Sequence, residues 1–565
     1  MSTFAEYPYQ RPDLQRLTTD FEAALADFAE APDAAAQGAA FERLNALRTD
    51  FDTMYNICYI RHTQDTRDAF YTAENEWFDG ARPSYEALNN RLYRALLAAE
   101  FRPELETTYG AQLFVIAELS LKTFQPAILN DLEEENALAS AYVKLKASAR
   151  IEYAGESYNL SSIHPLTLSP DRAVRRAASV AKWNFYAEQS PEIERIYDEQ
   201  VRVRTRIARE LGYASYVPLG YARLLRSDYD AGRVAAFRAQ VREHIVPVAQ
   251  ALYERQRRRL GLDTLYFYDE DFRFASGNAK PQGDPDWIVA QAARMYRELA
   301  PETNTFFGHL QQHGLMDLVN RDGKATGGYC TFVAAHRSPY IFSNFNGTSG
   351  DIDVLTHEAG HAFQVYESRD MPVGEYNWPT YEACEIHSMS MEFFTWPWMQ
   401  LFFGEQTEKY KFAHLAGALK FIPYGVAVDE FQHRVYARPD MSPAERNAVW
   451  RELEAIYLPH RNYDGVAFLE RGGFWQRQSH VFTTPFYYID YTLAQLCAFQ
   501  FWKRDRADHA GAWADYLRLC RAGGSRSFLE LVKLAGLRSP FAPGTIASVI
   551  GDIRRYLDGV DDTKF

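Results

Sequence analysis

Two histidines four residues apart with a glutamate between them, His357-Glu358-Ala359-Gly360-His361, are the residues of this chain best suited to chemistry. On a helix, positions i and i+4 share a face, so both imidazoles can converge on one Zn²⁺ ion. Glu358 lies near that face, where its carboxylate can take a proton from water at the metal. Two histidines and one carboxylate leave a fourth tetrahedral position open, as catalysis requires and a structural site does not. The third ligand must come from elsewhere, and Glu367, Glu375, Glu382, Glu385 and Glu392 compete for the place. Glu367 falls on the same helix as His361 and is poorly placed. Glu382 and Glu385 share a face of a new helical stretch after Trp378-Pro379-Thr380, where Thr380 can cap, so spacing does not separate them. Glu392 lies two turns beyond Glu385. It can support a ligand histidine from behind, or equally be a satisfied buried acid.

A second group of reactive types follows at His480 and Pro485-Phe486-Tyr487-Tyr488-Ile489-Asp490-Tyr491. Three apart on a helix, Tyr488 and Tyr491 point their hydroxyls the same way. Water attacking a peptide carbonyl creates an oxyanion, and tyrosine or histidine donors aimed at it lower the barrier. An aromatic stripe is more often core packing, and the residues alone favour that reading.

The elements that must position these groups are mostly helices. Helical patterning covers Leu14–Glu30, Phe41–His62, Arg82–Glu100, Leu113–Lys122 and Asn136–Ser148, and Ser190-Pro191-Glu192 predicts a helix start with Ser190 as cap. Strand-like runs are confined to Leu265–Tyr268, Thr331–Val333 and Tyr340–Phe345, which predicts a small sheet beside the metal helix. The run Arg255–Arg259 reads as a solvated helix face, and Glu133–Glu135 as a helix first turn or loop. The best boundary lies between His164-Pro165 and Pro170-Asp171, dividing an N-terminal helical portion (1–165) from the remainder (166–565).

Composition sets the outer limits. With 565 residues, 47% of them hydrophobic, the chain can bury a sizeable core, and disorder is not indicated. A net charge of −14 argues against nucleic acid as a partner. Five widely spaced cysteines without a C-x-x-C fit a reducing compartment. No signal peptide or membrane-length apolar run is visible, which predicts a soluble cytoplasmic protein.

Taken together, Asp353–His361, Glu385-Ile386-His387-Ser388 with Glu392, and His480 with Pro485–Tyr491 resemble the thimet oligopeptidase and oligoendopeptidase F family of zinc peptidases, nearer its bacterial oligoendopeptidase F-like branch. The resemblance spans roughly residues 200–540. It implies a mostly α-helical, two-lobed body around a deep channel with one zinc per chain on its floor. By the same resemblance His357, His361 and Glu385 are the ligands, Glu358 is the general base, and His480, Tyr488 and Tyr491 contact the tetrahedral intermediate. It also implies that the strand before the metal helix, Tyr340-Ile341-Phe342-Ser343-Asn344-Phe345, pairs with the substrate backbone as a sheet edge. Three departures touch substrate contacts: Gln364 stands where another His is common, His387 occupies a place often held by Pro, and one tyrosine after the channel histidine is missing.

The expected activity is therefore zinc-dependent cleavage of internal bonds in oligopeptides, with a homodimer left open. A zinc carboxypeptidase or dipeptidyl carboxypeptidase of similar architecture is the nearest alternative. A non-catalytic peptide-binding protein is remote, since binding alone does not need Glu358.

Overall fold

The computed structural model describes residues 2–565. Helices build most of it, and among the described residues none is long and apolar enough to cross a membrane. Asp13, Asp33 and Asp68 each accept backbone N–H groups at the start of Leu14–Ala29, Ala34–Gln64 and Ala69–Leu97, satisfying amides a helix leaves open. These helices enclose their own apolar cluster around Phe21, Phe41, Phe51 and Phe78, closed by Val373 and Tyr376 from the other half of the chain. Arg48 donates to Glu375 at 2.6 Å and the Tyr376 hydroxyl accepts from Leu113 N at 2.8 Å. The N-terminal helices are thereby tied to the segment linking the metal helix to the Glu385 helix.

Two small sheets are present. The first is a hairpin of β1 (Ile151–Tyr153) and β2 (Glu156–Tyr158), too short to leave a sequence signal. The second has the order β3 (Met316–Val319), β5 (Ser338–Phe345), β4 (Tyr329–Val333), with β3 parallel and β4 antiparallel to β5. This sheet lies beside the metal helix as expected, but its topology corrects the reading of Tyr340–Phe345 as a free edge. Tyr340 pairs with Thr331, Ile341 with both Cys330 and Met316, Phe342 with both Tyr329 and Asp317, and Phe345 with Val319. Lys324 Nζ caps the Ser343 carbonyl at 2.6 Å, and the Asn344 amide holds the Ala325 and Gly327 carbonyls at 2.9 and 2.8 Å. Ile341 and Phe342, with partners on both sides, have no ladder left for a peptide, and beyond them β5 is paired only on the β3 side.

Other sequence expectations also change. The helix assigned to start at Ser190 runs unbroken from Arg172 to Glu210 through Pro191. An interior proline costs about 3 kcal/mol, yet Ile193, Ile196, Tyr197 and Val201 continue the buried face begun by Ala178, Trp183 and Tyr186, and that packing wins. Ser190 Oγ accepts from Gln476 instead. Leu265–Tyr268 forms no strand; Phe267–Asp269 is a single 3₁₀ turn, drawn in by the buried Asp269 carboxylate bonded to Arg172 and Arg175. Within the arginine run only part is solvated, because Arg255 and Arg259 turn inward to clamp Asp562 near the C-terminus. Glu135 is likewise buried between Arg204 and Arg223.

Candidate active site

Two adjacent helices, Gly350–Glu367 and Tyr381–Phe394, carry the metal-binding residue types. They can lie close because the fourth residue of the H-E-A-G-H run is glycine. A Cβ on Gly360 would sit 2.6 Å from Ser388 Cα and 2.8 Å from the His387 carbonyl oxygen. One ligand atom from each of His357, His361 and Glu385 lies within 4.8 Å of the others. Glu385 Oε2 is 3.2 Å from His357 Nε2 and 3.4 Å from His361 Nε2. Glu382 turns away, fully buried near Arg226 and Asp490. Thr380 occupies the cap position of the second helix without using its side chain as a cap.

A second layer fixes these groups. His357 Nδ1 meets Glu392 Oε1 at 2.7 Å, so its Nε2 is the atom presented to Glu385. Glu392 Oε2 holds His414 at 2.8 Å, and Trp396 donates to the other nitrogen of that ring at 3.3 Å. Ser388 donates to Glu385 Oε2 at 2.8 Å, and the Tyr487 hydroxyl donates to Glu385 Oε1. Burial opposes charge on His357, but its hydrogen bonds to Glu385 and Glu392 hold the imidazole well above its usual range. Burial also opposes charge on Glu385, yet the two histidines keep it well below the usual carboxylate range. One carboxylate, Glu385, facing the two imidazoles, with Glu392 behind His357, forms a donor set that suits a divalent cation.

Glu358 is 7% exposed, and its Oε2 has no hydrogen-bond partner among the described residues. Burial raises its carboxyl above the ordinary value, against the pull of His357 and His361. The residue that leads into β4 comes close here, since a Cβ on Gly328 would lie 3.4 Å from Glu358 Oε1.

Across a cavity of about 470 Å³, bounded on the metal side by Glu392 and His414, stand His480, Tyr488 and Tyr491. His480 Nε2 is 3.3 Å from the Tyr491 hydroxyl. Tyr424 donates to Gln478 Oε1 at 2.8 Å, which leaves the Gln478 amide to donate to His480 Nδ1 at 2.7 Å. That bond places the ring proton on Nε2, facing Tyr491. Burial pushes the His480 imidazole down to about 4, so the ring is neutral near pH 7 and still presents an N–H.

Both halves of the chain match families. The peptidase M3 N-terminal domain matches residues 4–124 and peptidase family M3 matches residues 291–549. A solved structure described as an oligoendopeptidase F shares 58% identity over 100% of both chains, with a TM-score of 0.99. The chain belongs to peptidase family M3. PZ peptidase A, solved with an inhibitor, is 56% identical over 99% of this chain and 100% of its own, with a TM-score of 0.98. An oligoendopeptidase F structure from Bacillus anthracis str. Ames is 52% identical over 100% of each chain, with a TM-score of 0.94. No curated protein matches the chain. This M3 peptidase is a metallo-oligopeptidase, and peptides are its substrates.

Several contacts of the M3 site had no signal in the sequence reading. Tyr487, one residue before the pair singled out, reaches Glu385 itself. His414 comes from a helix remote in sequence. The turn that aims the tyrosines is strained: Phe486 has φ of +66°, a conformation bulky side chains rarely adopt. Gln432 accepts from Phe486 N at 2.9 Å and Arg226 donates to its carbonyl at 2.7 Å. Gly220 leaves room for the ring, since a Cβ there would lie 2.6 Å from it. His387, close in sequence to Glu385, is fully buried and outside the ligand group. Gln364 braces the chain after the metal helix, donating to Ser368 Oγ and Asn377 O at 2.9 and 3.0 Å.

Proposed function

We propose that the chain is a zinc endopeptidase of short peptides, with His357, His361 and Glu385 holding one zinc ion and Glu358 as the general base. The observation that carries this reading is the convergence of three ligand atoms within 4.8 Å beside a buried, unpartnered Glu358 carboxylate oxygen. When bound, zinc supplies Lewis-acid polarisation of the scissile carbonyl and eases ionisation of water at neutral pH. Glu358 takes the proton from the attacking water and passes it to the leaving amine. His480 Nε2–H and the hydroxyls of Tyr488 and Tyr491 donate to the developing oxyanion. Glu392, itself held by His414, keeps the His357 ring oriented. The β4 strand, Tyr329–Val333, takes the place of Tyr340–Phe345 as the edge for substrate pairing: it ends the sheet, and the residue that leads into it, Gly328, adjoins Glu358.

A cytoplasmic location is supported by five cysteines that form no disulfide. A separate N-terminal portion is supported by the apolar cluster of its helices, Leu17 to Ile116, but Ile128, Leu138, Tyr142 and Ile163 pack into the main core, so that cluster gives no support to a division as late as residue 165.

Cleavage of a peptide with an amidated C-terminus tests endopeptidase against carboxypeptidase action. Fragment masses are expected to place the cut at an internal bond; loss of activity on amidation, with only C-terminal fragments from the free acid, would favour the carboxypeptidase alternative. Tyr491→Phe is expected to lower kcat by about 10²-fold with little change in KM, since the hydroxyl acts on the oxyanion. An unchanged kcat would return Tyr491 to packing.

A further inference from the structure

A second cavity of about 640 Å³ joins the site, sharing Arg273, Gly417 and Phe421 with the chamber that holds His480 and the tyrosines. Its chemistry is opposite to that of the chain as a whole. Against a net charge of −14, this wall carries Lys146, Lys182, Lys420, Arg273, Arg461 and Arg477, and only Glu270 and Asp271 as acids. Glu270 is already taken, bonded to both donor arms of Arg461 at 3.1 and 2.7 Å. The other five cations have no carboxylate oxygen within 4.0 Å among the described residues.

Four of these five cations are held in place by neutral partners. Lys146 donates to the Arg477 carbonyl at 3.2 Å and at 2.7 Å to Oγ of Ser479, the residue that precedes His480. Lys420, only 9% exposed, donates to Gln256 Oε1 at 2.9 Å and lies over the Tyr253 ring. Arg273 donates to the Ala413 carbonyl at 2.7 Å. Arg477 lies over the rings of Phe474 and Tyr424. Burial first, and then the neighbouring guanidinium of Arg477, bring Lys182 down to about 8 and Lys146 to about 7; burial and Arg273 bring Lys420 to about 7. Crowding like charges in a sheltered wall is costly, and an anion among them offsets the repulsion and gains charge-assisted hydrogen bonds.

We propose that this chamber is a carboxylate-binding subsite, built on Lys146, Lys182, Lys420 and Arg477, that anchors an anionic group of the same peptide whose carbonyl lies at His480. The inference rests on the peptidase reading and adds to it a substrate feature: peptides with a carboxylate a fixed reach from the cut bind better than neutral ones. The carboxylate can come from the peptide C-terminus or from an acidic side chain. Trp183, Tyr186 and Phe474 on the same wall offer apolar surface to the residues around it.

Binding to the zinc-loaded Glu358→Gln enzyme tests this without turnover. Fluorescence anisotropy compares three labelled decapeptides: a neutral amide, the same peptide with a free C-terminal carboxylate, and the amide with one Gln near its C-terminus changed to Glu. At least one anionic peptide is expected to bind about tenfold tighter than the neutral one. Preference for the free acid assigns the terminus, and preference for the Glu peptide assigns a side chain. Adding Lys182→Gln and Arg477→Gln is expected to bring the ratio close to one. Equal Kd values for all three peptides on the Glu358→Gln enzyme would overturn the proposal, and that comparison does not depend on the double variant folding. A failed peptidase assignment would appear separately, as absent hydrolysis of the neutral peptide by the wild-type enzyme.

Discussion

Glu358→Gln is expected to lower kcat by about 10⁴-fold while zinc stays bound and the fold is unchanged. Glutamine matches the volume of the buried side chain, which has Gly328 close by, so packing gives no reason for a structural effect. What is lost is the ability to take a proton from water and return it to the amine. Glu358 is not among the three converging ligand residues, so metal content should not change. Single-turnover hydrolysis together with zinc analysis of the purified variant checks both statements. Turnover within tenfold of wild type would remove Glu358 from the base position. Loss of zinc in parallel with activity would make it a ligand or a support for one.

The second large effect is on stability and comes from Arg226. Its guanidinium and the Asp490 carboxylate are both fully inaccessible and 2.6 Å apart. Burial pushes the Asp490 carboxyl well above the usual range, and Arg226 opposes that push. Glu382, also buried and raised by burial to about 6, relies on the same arginine. Arg226→Met is expected to cost about 3–5 kcal/mol, because it leaves buried acids without their counter-charge. It also frees the Phe486 carbonyl, so the strained turn before Tyr487, Tyr488 and Tyr491 loses one of its two clamps. Denaturant unfolding gives the stability term, and Arg226→Met combined with Asp490→Asn should recover part of it. A change below about 1 kcal/mol would show that the pair is not a structural support of this site.

How much of this was legible in the sequence depends on whether a residue's role follows from its own helix. His357, Glu358 and His361 are positioned by i, i+4 spacing alone, so their convergence could be read directly. Glu385 and Glu382 share a helix face by spacing, and the residues could not separate them. The structure does, because the Arg226 guanidinium from another segment attracts Glu382 while Tyr487 and Ser388 hold Glu385. Tyr487 was passed over because its direction depends on the positive φ of Phe486, which follows from Gln432, Arg226 and Gly220 rather than from local pattern. The strand Tyr340–Phe345 and its antiparallel partner at Thr331–Val333 are legible in the sequence, but its other partner, the short parallel strand Met316–Val319, carries no periodic signal. Pro191 and the Arg255–Arg259 run fail for the same reason: tertiary partners, the buried face of a long helix and Asp562, override local preference.

The measurement that bears most directly on the central claim is peptide hydrolysis by protein stripped of metal with a chelator, then titrated with zinc. The expected result is background activity in the stripped protein and full recovery at one zinc per chain. His361→Ala should neither bind that zinc tightly nor recover activity. Full turnover by protein verified to be free of metal, or by His361→Ala, would contradict a catalytic metal held by His357, His361 and Glu385.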